Sequence, residues 1–424
     1  MLVKATGRSK IKFALAFMVM VTMFSAMWGC GGGGGDFKTI YPSSSRLLSV
    51  ETLKSWIDAG KVNSGSYDNV VILDVNMDAN QHIPGAQKLV QAEMYQTRIE
   101  GVAATSSMIL SGAAMDNLIK GFGINLNTTI VFTGSSSPYI ITRAYFTFRY
   151  WGFPKEQLFI LNGLNPEWEA SYPFTDQEAV VTASEFSVRD NEILGKDLRY
   201  SLGEMIAAVE EASDDTVIVD MRGPGGTYDG TSNTKDYVVL GHPKGAKAVP
   251  SYKALFEDYD GGDYTFIDPN DLRDIFEGLN LSSSKNGIMY CTSGNLASLG
   301  YFILEGILNW PAAVYDGSWK QWGLMSDNAD KGGSLPPAGS GWAVDDLMDP
   351  NTFVYAKDTY NGTWADPRTD TISPADMATF TGLTDPRANQ IEKEDAAYMA
   401  GDEAVEDTGA DDAGAASDGG GSCG

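Results

Sequence analysis

The chain has 424 residues and a formal net charge of −26. So acidic a surface repels polyanions, which excludes nucleic acid and anionic lipid headgroups as partners. With 43% hydrophobic and 11% aromatic residues it is otherwise ordinary globular material, long enough for two or three domains. The cysteines are Cys30, Cys291 and Cys423, and the histidines are His82 and His242. With no CxxC, CxxCH or His pair at ligand spacing, a disulfide framework, haem, iron–sulfur and zinc are excluded; no cofactor and no metal site are expected.

Residues 1–29 read as a targeting segment. Lys4, Arg8, Lys10 and Lys12 precede an apolar run from Phe13 to Met27, followed by Gly29 and Cys30. The run is too short, and too soon followed by glycines, to read as a spanning helix. It resembles the cleavage and lipidation site of bacterial lipoproteins, but two residues before the small Gly29, where that family usually carries Leu, this chain has Met27 and then Trp28. The resemblance implies lipidation of Cys30, a mature charge of −30 once those four basic residues are removed, and a membrane partner through the lipid anchor. Residues 30–47, with Gly31 to Gly35, then form a flexible tether. No aspartate follows Cys30 directly, which under the sorting rule of that family implies an outer-membrane location, on the periplasmic face or the cell surface.

The first unit, 48–175, opens on SVETLKSWI with Ser49 as helix cap. The strand Val70 to Val75, the HIPGA turn from His82 to Ala86, a helical stretch from Met115 to Phe122 and the strand Thr129 to Phe132 follow. A linker, 176–200, leads to the second unit, 201–323, which repeats the opening with SLGEMIAAV capped by Ser201. VIVD (Val217 to Asp220), GHPKGA, the strand IMY (Ile288 to Tyr290), the turn CTSGNL and a helix from Leu296 to Asn309 come next. The units close alike, on FILNGLNPEWEA and AVYDGSWKQWG, with Trp168 and Trp319 read as core. Strands alternating with helices predict an α/β fold with a parallel sheet covered on both faces. Right-handed crossovers then gather the strand-to-helix loops at the carboxyl edge of each sheet, where ligands bind. Aligning IVF (Ile130 to Phe132) with IMY puts Thr133 at the place of Cys291, so the first unit reads as catalytically idle. Residues 324–390 form an irregular extension, and 391–424 an acidic disordered tail that contains Cys423.

The IVLDV-type strand before HIPGA, the strand–Cys-loop–helix and the YDGSW segment, in order and repeated, resemble the tandem rhodanese (sulfurtransferase) family. The resemblance runs from Leu48 to Gly323. It implies two rhodanese-like domains, each with a five-stranded parallel sheet and helices on both faces, and transfer of sulfane sulfur through a cysteine persulfide. Asn76 stands where the family usually has Arg, whereas the second unit keeps Asp220 and Arg222. Pro243, Lys244 and Gln321 are further departures. TYDGTSNTKDYVVLGH resembles an insertion of mercaptopyruvate sulfurtransferases, with Thr227 at one expected arginine and Lys235 loosely at another. Thr292 and Ser293 stand where thiosulfate-specific members carry basic residues, so uncharged or monoanionic donors are expected.

Cys291 is the candidate nucleophile. Backbone N–H groups of a turn and the start of the following helix stabilise a thiolate over a thiol. Gly294 permits the tight turn. Candidate substrate-binding residues are Thr292, Ser293, Gly294, Asn295 and Leu296 of the turn, with Arg222, Lys235 and His82. The plainer reading of Cys291 is a small buried residue at a strand end; His82 and His242 read first as fold residues and Asp74 and Asp220 as turn anchors. In the family the first-domain histidine can face the active site, which favours His82. The leading function is a sulfurtransferase acting on a small sulfur-containing substrate of the thiosulfate or 3-mercaptopyruvate type. The alternative is a rhodanese-like lipoprotein accessory to an outer-membrane electron-transfer conduit, non-catalytic or handling chalcogen oxyanions beside outer-membrane protein partners.

Mass spectrometry of the mature N-terminus is expected to find a diacylglyceryl-modified Cys30. An unmodified peptide beginning elsewhere sinks this expectation.

Overall fold

A computed structural model describes residues 44–101, 103–191, 193–225, 228, 239–240, 242–326, 354–355 and 382–401. Cys30, Lys235, Cys423, most of the extension and the end of the acidic tail lie outside the described residues.

The first half starts with β1 (Leu47–Leu48) and α1 (Val50–Asp58), where the Ser49 hydroxyl accepts from the Thr52 N–H as a cap should. β2 (Val70–Val75) is buried at every residue, the mark of a central strand covered on both faces. β3 (Ala86–Leu89), a hairpin of β4 (Gln96–Glu100) and β5 (Ala103–Met108), and α2 (Gly112–Gly121) follow. β6 (Thr129–Gly134), α3 (Pro138–Tyr150), β7 (Leu158–Leu161) and α4 (Leu164–Ser171) complete it. The sheet has five parallel strands in the order β1-β7-β6-β2-β3.

The second half repeats this plan. β8 (Arg199–Tyr200) leads into α5 (Leu202–Glu211), whose capping box pairs Ser201 with Glu204. β9 (Thr216–Asp220), β10 (Val239–Leu240) and β11 (Lys247–Ala248) precede a second hairpin, β12 (Phe256–Asp258) with β13 (Asp263–Phe266). Then come α6 (Pro269–Glu277), β14 (Asn286–Tyr290), α7 (Asn295–Tyr301), β15 (Ala312–Tyr315) and α8 (Ser318–Ser326). Its sheet, β11-β9-β14-β15-β8, is also five-stranded and parallel, and has the same order as the first. The helix expected from Leu296 to Asn309 is α-helical only to Tyr301; Phe302–Leu308 is a π-helix. β16 (Val354–Tyr355) pairs antiparallel with β10, and α9 (Gln390–Ala400) ends the described chain.

The two halves share one core. α3 packs on α7 through aromatic rings: Tyr145 meets Phe302 at 4.9 Å and Phe146 meets Tyr301 at 5.3 Å, both edge-to-face. The hairpins are exchanged. From β4–β5, Ser106 Oγ lies 2.5 Å from Lys320 Nζ, and Glu100 takes Arg199 in two bonds of 3.0 and 3.1 Å. From β13, the Phe266 N–H donates to Asn162, and Tyr264 bridges to Gly163.

The expectation of a solvated tail from residue 391 is corrected for 391–401. α9 docks on the first half with Ile391 and Asp395 buried. The Asp395 carboxylate receives Arg98 at 2.8 and 2.9 Å and the Tyr150 hydroxyl at 2.7 Å. Tyr398 lies over Gly112, where an added Cβ would sit 2.0 Å from its ring, and its hydroxyl donates to Asp116. Acidic composition misled here because one acid pairs with an arginine 297 residues earlier in the chain.

Breaking a buried ion pair strands its partner. Asp395→Ala is expected to lower the unfolding free energy by about 3 kcal/mol in urea titrations, because Arg98 keeps only the half-exposed Glu394. Glu394→Ala should cost under about 1 kcal/mol.

Candidate active site

Cys291 follows β14 at the carboxyl edge of the second sheet and is 1% exposed. Its N–H donates to Ser318 Oγ at 3.3 Å. The carbonyls of Cys291 and Thr292 accept the N–H groups of Trp319 (3.0 Å) and Lys320 (2.9 Å) from the first turn of α8. In a trans peptide the carbonyl and the next N–H point opposite ways. The N–H groups of Thr292 and Ser293 are therefore turned away from α8. Gly294 caps α7 with φ of +89°, a left-handed conformation that favours glycine. Of the expected turn residues, Thr292 and Ser293 are half-buried, while Gly294, Asn295 and Leu296 are buried. The structure does bring these five together with Cys291.

Register corrects the alignment of the two loops. The equivalent aspartates Asp74 and Asp220 pair with Thr133 and Tyr290, so the counterpart of Cys291 is Gly134, not Thr133. Cap geometry agrees: Ser137 in the first half and Gly294 in the second are both left-handed and each lies three residues past its position. Sequence alignment slipped by one because IVFT and IMYC match equally well as apolar strands. The first half has no room for a nucleophile, since a Cβ at Gly134 would lie 2.6 Å from Ile141 Cδ1. The residue in that place on α7 is Ser298, small and bonded to the Asn295 carbonyl.

The aspartates differ for an equally local reason. Asp220 receives the Arg222 Nε at 3.0 Å on both oxygens, together with the Tyr290 hydroxyl. Arg222 thus folds back on its own turn and stacks over Trp319 at 5.0 Å; it anchors the turn as expected for Asp220. In the first half Asn76 replaces that arginine. Asp74 keeps one bond from Asn165 Nδ2 at 2.9 Å, its Oδ1 has no hydrogen-bond partner, and burial pushes its pKa up to about 6.

His82 is fully buried; its backbone pairs with Thr175, and its Nδ1 lies 3.1 Å from the Ile83 carbonyl. Its hydrogen-bond partners among the described residues, Thr175 and Ile83, lie in the first half and not in the cysteine loop. His242 stacks on Tyr228 at 4.0 Å. Lys235 lies outside the described residues. A cleft of about 360 Å³ lined by Asp197, Glu204, Glu211 and Asn286 opens at the opposite, amino edge of the second sheet.

Three further residues surround the loop: Arg143 carries no sequence signal, while Asp316 and Lys320 lie within the AVYDGSWKQWG segment. Arg143 of α3 and Asp316 after β15 are both fully buried and form an ion pair at 2.7 Å. Lys320 reaches Ser106 of the first-half hairpin. Only the tertiary fold brings residues this far apart together.

No family model matches the chain. It is similar to the sulfur carrier protein TtuD of Thermus thermophilus, 27% identical over 295 residues, spanning 67% of this chain and 96% of that protein. A putative thiosulfate sulfurtransferase of Haloferax volcanii is 25% identical over 295 residues, spanning 68% and 96%. Among solved structures, a 3-mercaptopyruvate sulfotransferase of Escherichia coli described by its rhodanese fold superposes with a TM-score of 0.51 at 19% identity, covering 65% of this chain and 99% of that one. An anaerobic ergothioneine biosynthesis enzyme of Chlorobium limicola gives 0.54 at 17% identity, covering 65% and 68%. The fold is the rhodanese fold in tandem.

Asp74 titrates higher folded (about 6) than unfolded (3.8). Its contribution is present below about pH 4 and is lost as pH rises through about 6, a loss of up to about 3 kcal/mol. Asp74→Asn should remove that slope, so the variant gains on the wild type between pH 4 and pH 7 in urea titrations at both ends.

Proposed function

We propose that this rhodanese-type enzyme, whose two halves share one fold and one reactive cysteine, moves sulfane sulfur through a persulfide on Cys291. The observation that carries the proposal is the loop: a cysteine at a sheet's carboxyl edge, with its flanking carbonyls held by α8 and a left-handed glycine closing the turn. Backbone N–H groups that face a sulfur favour its anion over its neutral form, and those of Thr292 and Ser293 are turned away from α8. Similarity to a sulfur carrier protein and to putative thiosulfate sulfurtransferases supports the same chemistry.

The thiolate of Cys291 attacks the outer sulfur of thiosulfate, an S–S bond forms and the donor's S–S bond breaks with its electron pair leaving on sulfite. From 3-mercaptopyruvate the same attack breaks the C–S bond, and the thiol proton moves to carbon to give pyruvate. Either route leaves a persulfide anion, and a nucleophile such as cyanide or a thiol takes its outer sulfur and regenerates the thiolate. Thr292 and Ser293, the half-buried residues of the loop, carry hydroxyls and no charge. They fit a monoanionic donor better than a dianion. An anchor at Cys30 and an outer-membrane location belong to the same proposal.

Incubating the full chain with either donor should add about 32 Da to the peptide containing Cys291 and nothing to that containing Cys423, as thiolate attack requires. Cys291→Ser should abolish thiocyanate formation, because a hydroxyl is a far weaker nucleophile toward sulfur. Wild-type protein that stays unmodified with both donors would overturn the reading.

A further inference from the structure

Arg143 is contributed by the idle half yet lies against the loop of the other. Its Nη2 pairs with Asp316 and also donates to the Ser107 carbonyl at 3.0 Å. Ser107 holds that carbonyl in place with a φ of +67°, a conformation that is strained for a residue with a Cβ. The guanidinium lies over the rings of Phe146 and Tyr95 at 5.5 and 5.9 Å. A Cβ added at Gly294 would lie 2.7 Å from Arg143 Nη1 and 3.2 Å from the Asp316 carbonyl. The turn that holds Cys291 therefore rests directly on the Arg143–Asp316 pair. Nε and Nη1 of Arg143 have no hydrogen-bond partner among the described residues although the side chain is fully buried.

A buried guanidinium with two nitrogens unsatisfied is costly, and replacing such a pair by packed apolar residues is often neutral or stabilising. Stability is therefore a poor reason for Arg143. We infer that Arg143 is a positioning residue: with Asp316 it seats Gly294 and holds the turn in the shape that presents the Cys291 sulfur to its reaction partner. Asp316 is itself held by Arg199 at 3.4 Å and by the Ile109 N–H at 2.8 Å, so the seat is fixed from both halves. Among the described residues, the other charged groups on elements packed around the loop are Lys320 of α8 and the Asp220–Arg222 pair at the end of β9. Neither rests on Gly294. The planar fork of Arg grips Asp316 and Ser107 together while facing the turn, and the single ammonium of Lys can keep the pairing with Asp316 but not the whole grip.

This rests on sulfur transfer through Cys291, and the test separates the two. In the full chain, persulfide formation on Cys291 and iodoacetamide alkylation of Cys291 are followed for wild type, R143K and R143M, with cooperative unfolding checked for each. R143M is expected to slow both reactions at least tenfold with KM changed less than threefold, and R143K to recover a substantial part of the rate. Wild-type rates in folded R143M, or R143K as slow as R143M, would overturn the inference. If wild type forms no persulfide, the sulfur-transfer reading fails, yet alkylation still decides whether Arg143 positions the loop.

Discussion

Asp316 stands between two arginines, one from each half, and none of the three side chains reaches solvent. Burial alone would raise its pKa, but the guanidinium groups of Arg143 and Arg199 outweigh that and hold it below the usual carboxylate value. Arg199 in turn is gripped by Glu100 from the first-half hairpin. A charge buried alone costs several kcal/mol, so each member of this chain requires the next one. The exchanged hairpins, the placing of α8 behind the cysteine turn and the closeness of α3 to α7 all go with that continuity. Hydrophobic contact between α3 and α7 supplies area without direction; the ion pairs fix how the halves meet.

The same scaffold carries a cysteine loop once and a filled one once, through small differences in side chain. Gly134 with Ile141 leaves no space at a position where Cys291 with Ser298 has it. Asn76 in place of an arginine leaves Asp74 without an ion-pair partner among the described residues, whereas Arg222 pairs with Asp220. The first half lacks the cysteine loop and keeps the groups that hold shape.

Much of the architecture was legible in the sequence. Continuous apolar strands, the serine caps at Ser49 and Ser201 and the repeated closing segment lead to two parallel sheets with their loops at one edge. Cys291 and its five neighbours were found because they are contiguous. Strand periodicity carries no register, so the equivalence of Thr133 with Cys291 failed by one residue, and only the pairing of Asp74 and Asp220 reveals it. Arg143 was out of reach because YIITRAYF reads as an amphipathic helix and nothing local says that its arginine faces a loop more than a hundred residues away. α9 was hidden for a related reason: local composition reads its acids as solvated, and their partner Arg98 lies on a distant hairpin.

The mutual exchange of hairpins has a consequence for how such a chain could arise and fail. Two like halves that clasp each other by equivalent arms have the geometry of an isologous dimer whose subunits have been joined into one polypeptide. In a dimer, both subunits would have to preserve reactive loop and clasp together. Fusion separates the two demands, so one copy can lose its nucleophile while its arm still serves its neighbour. Damage to the arm of one copy would then appear as a defect in the other, and inheritance of the two halves is inseparable although only one of them carries the cysteine loop.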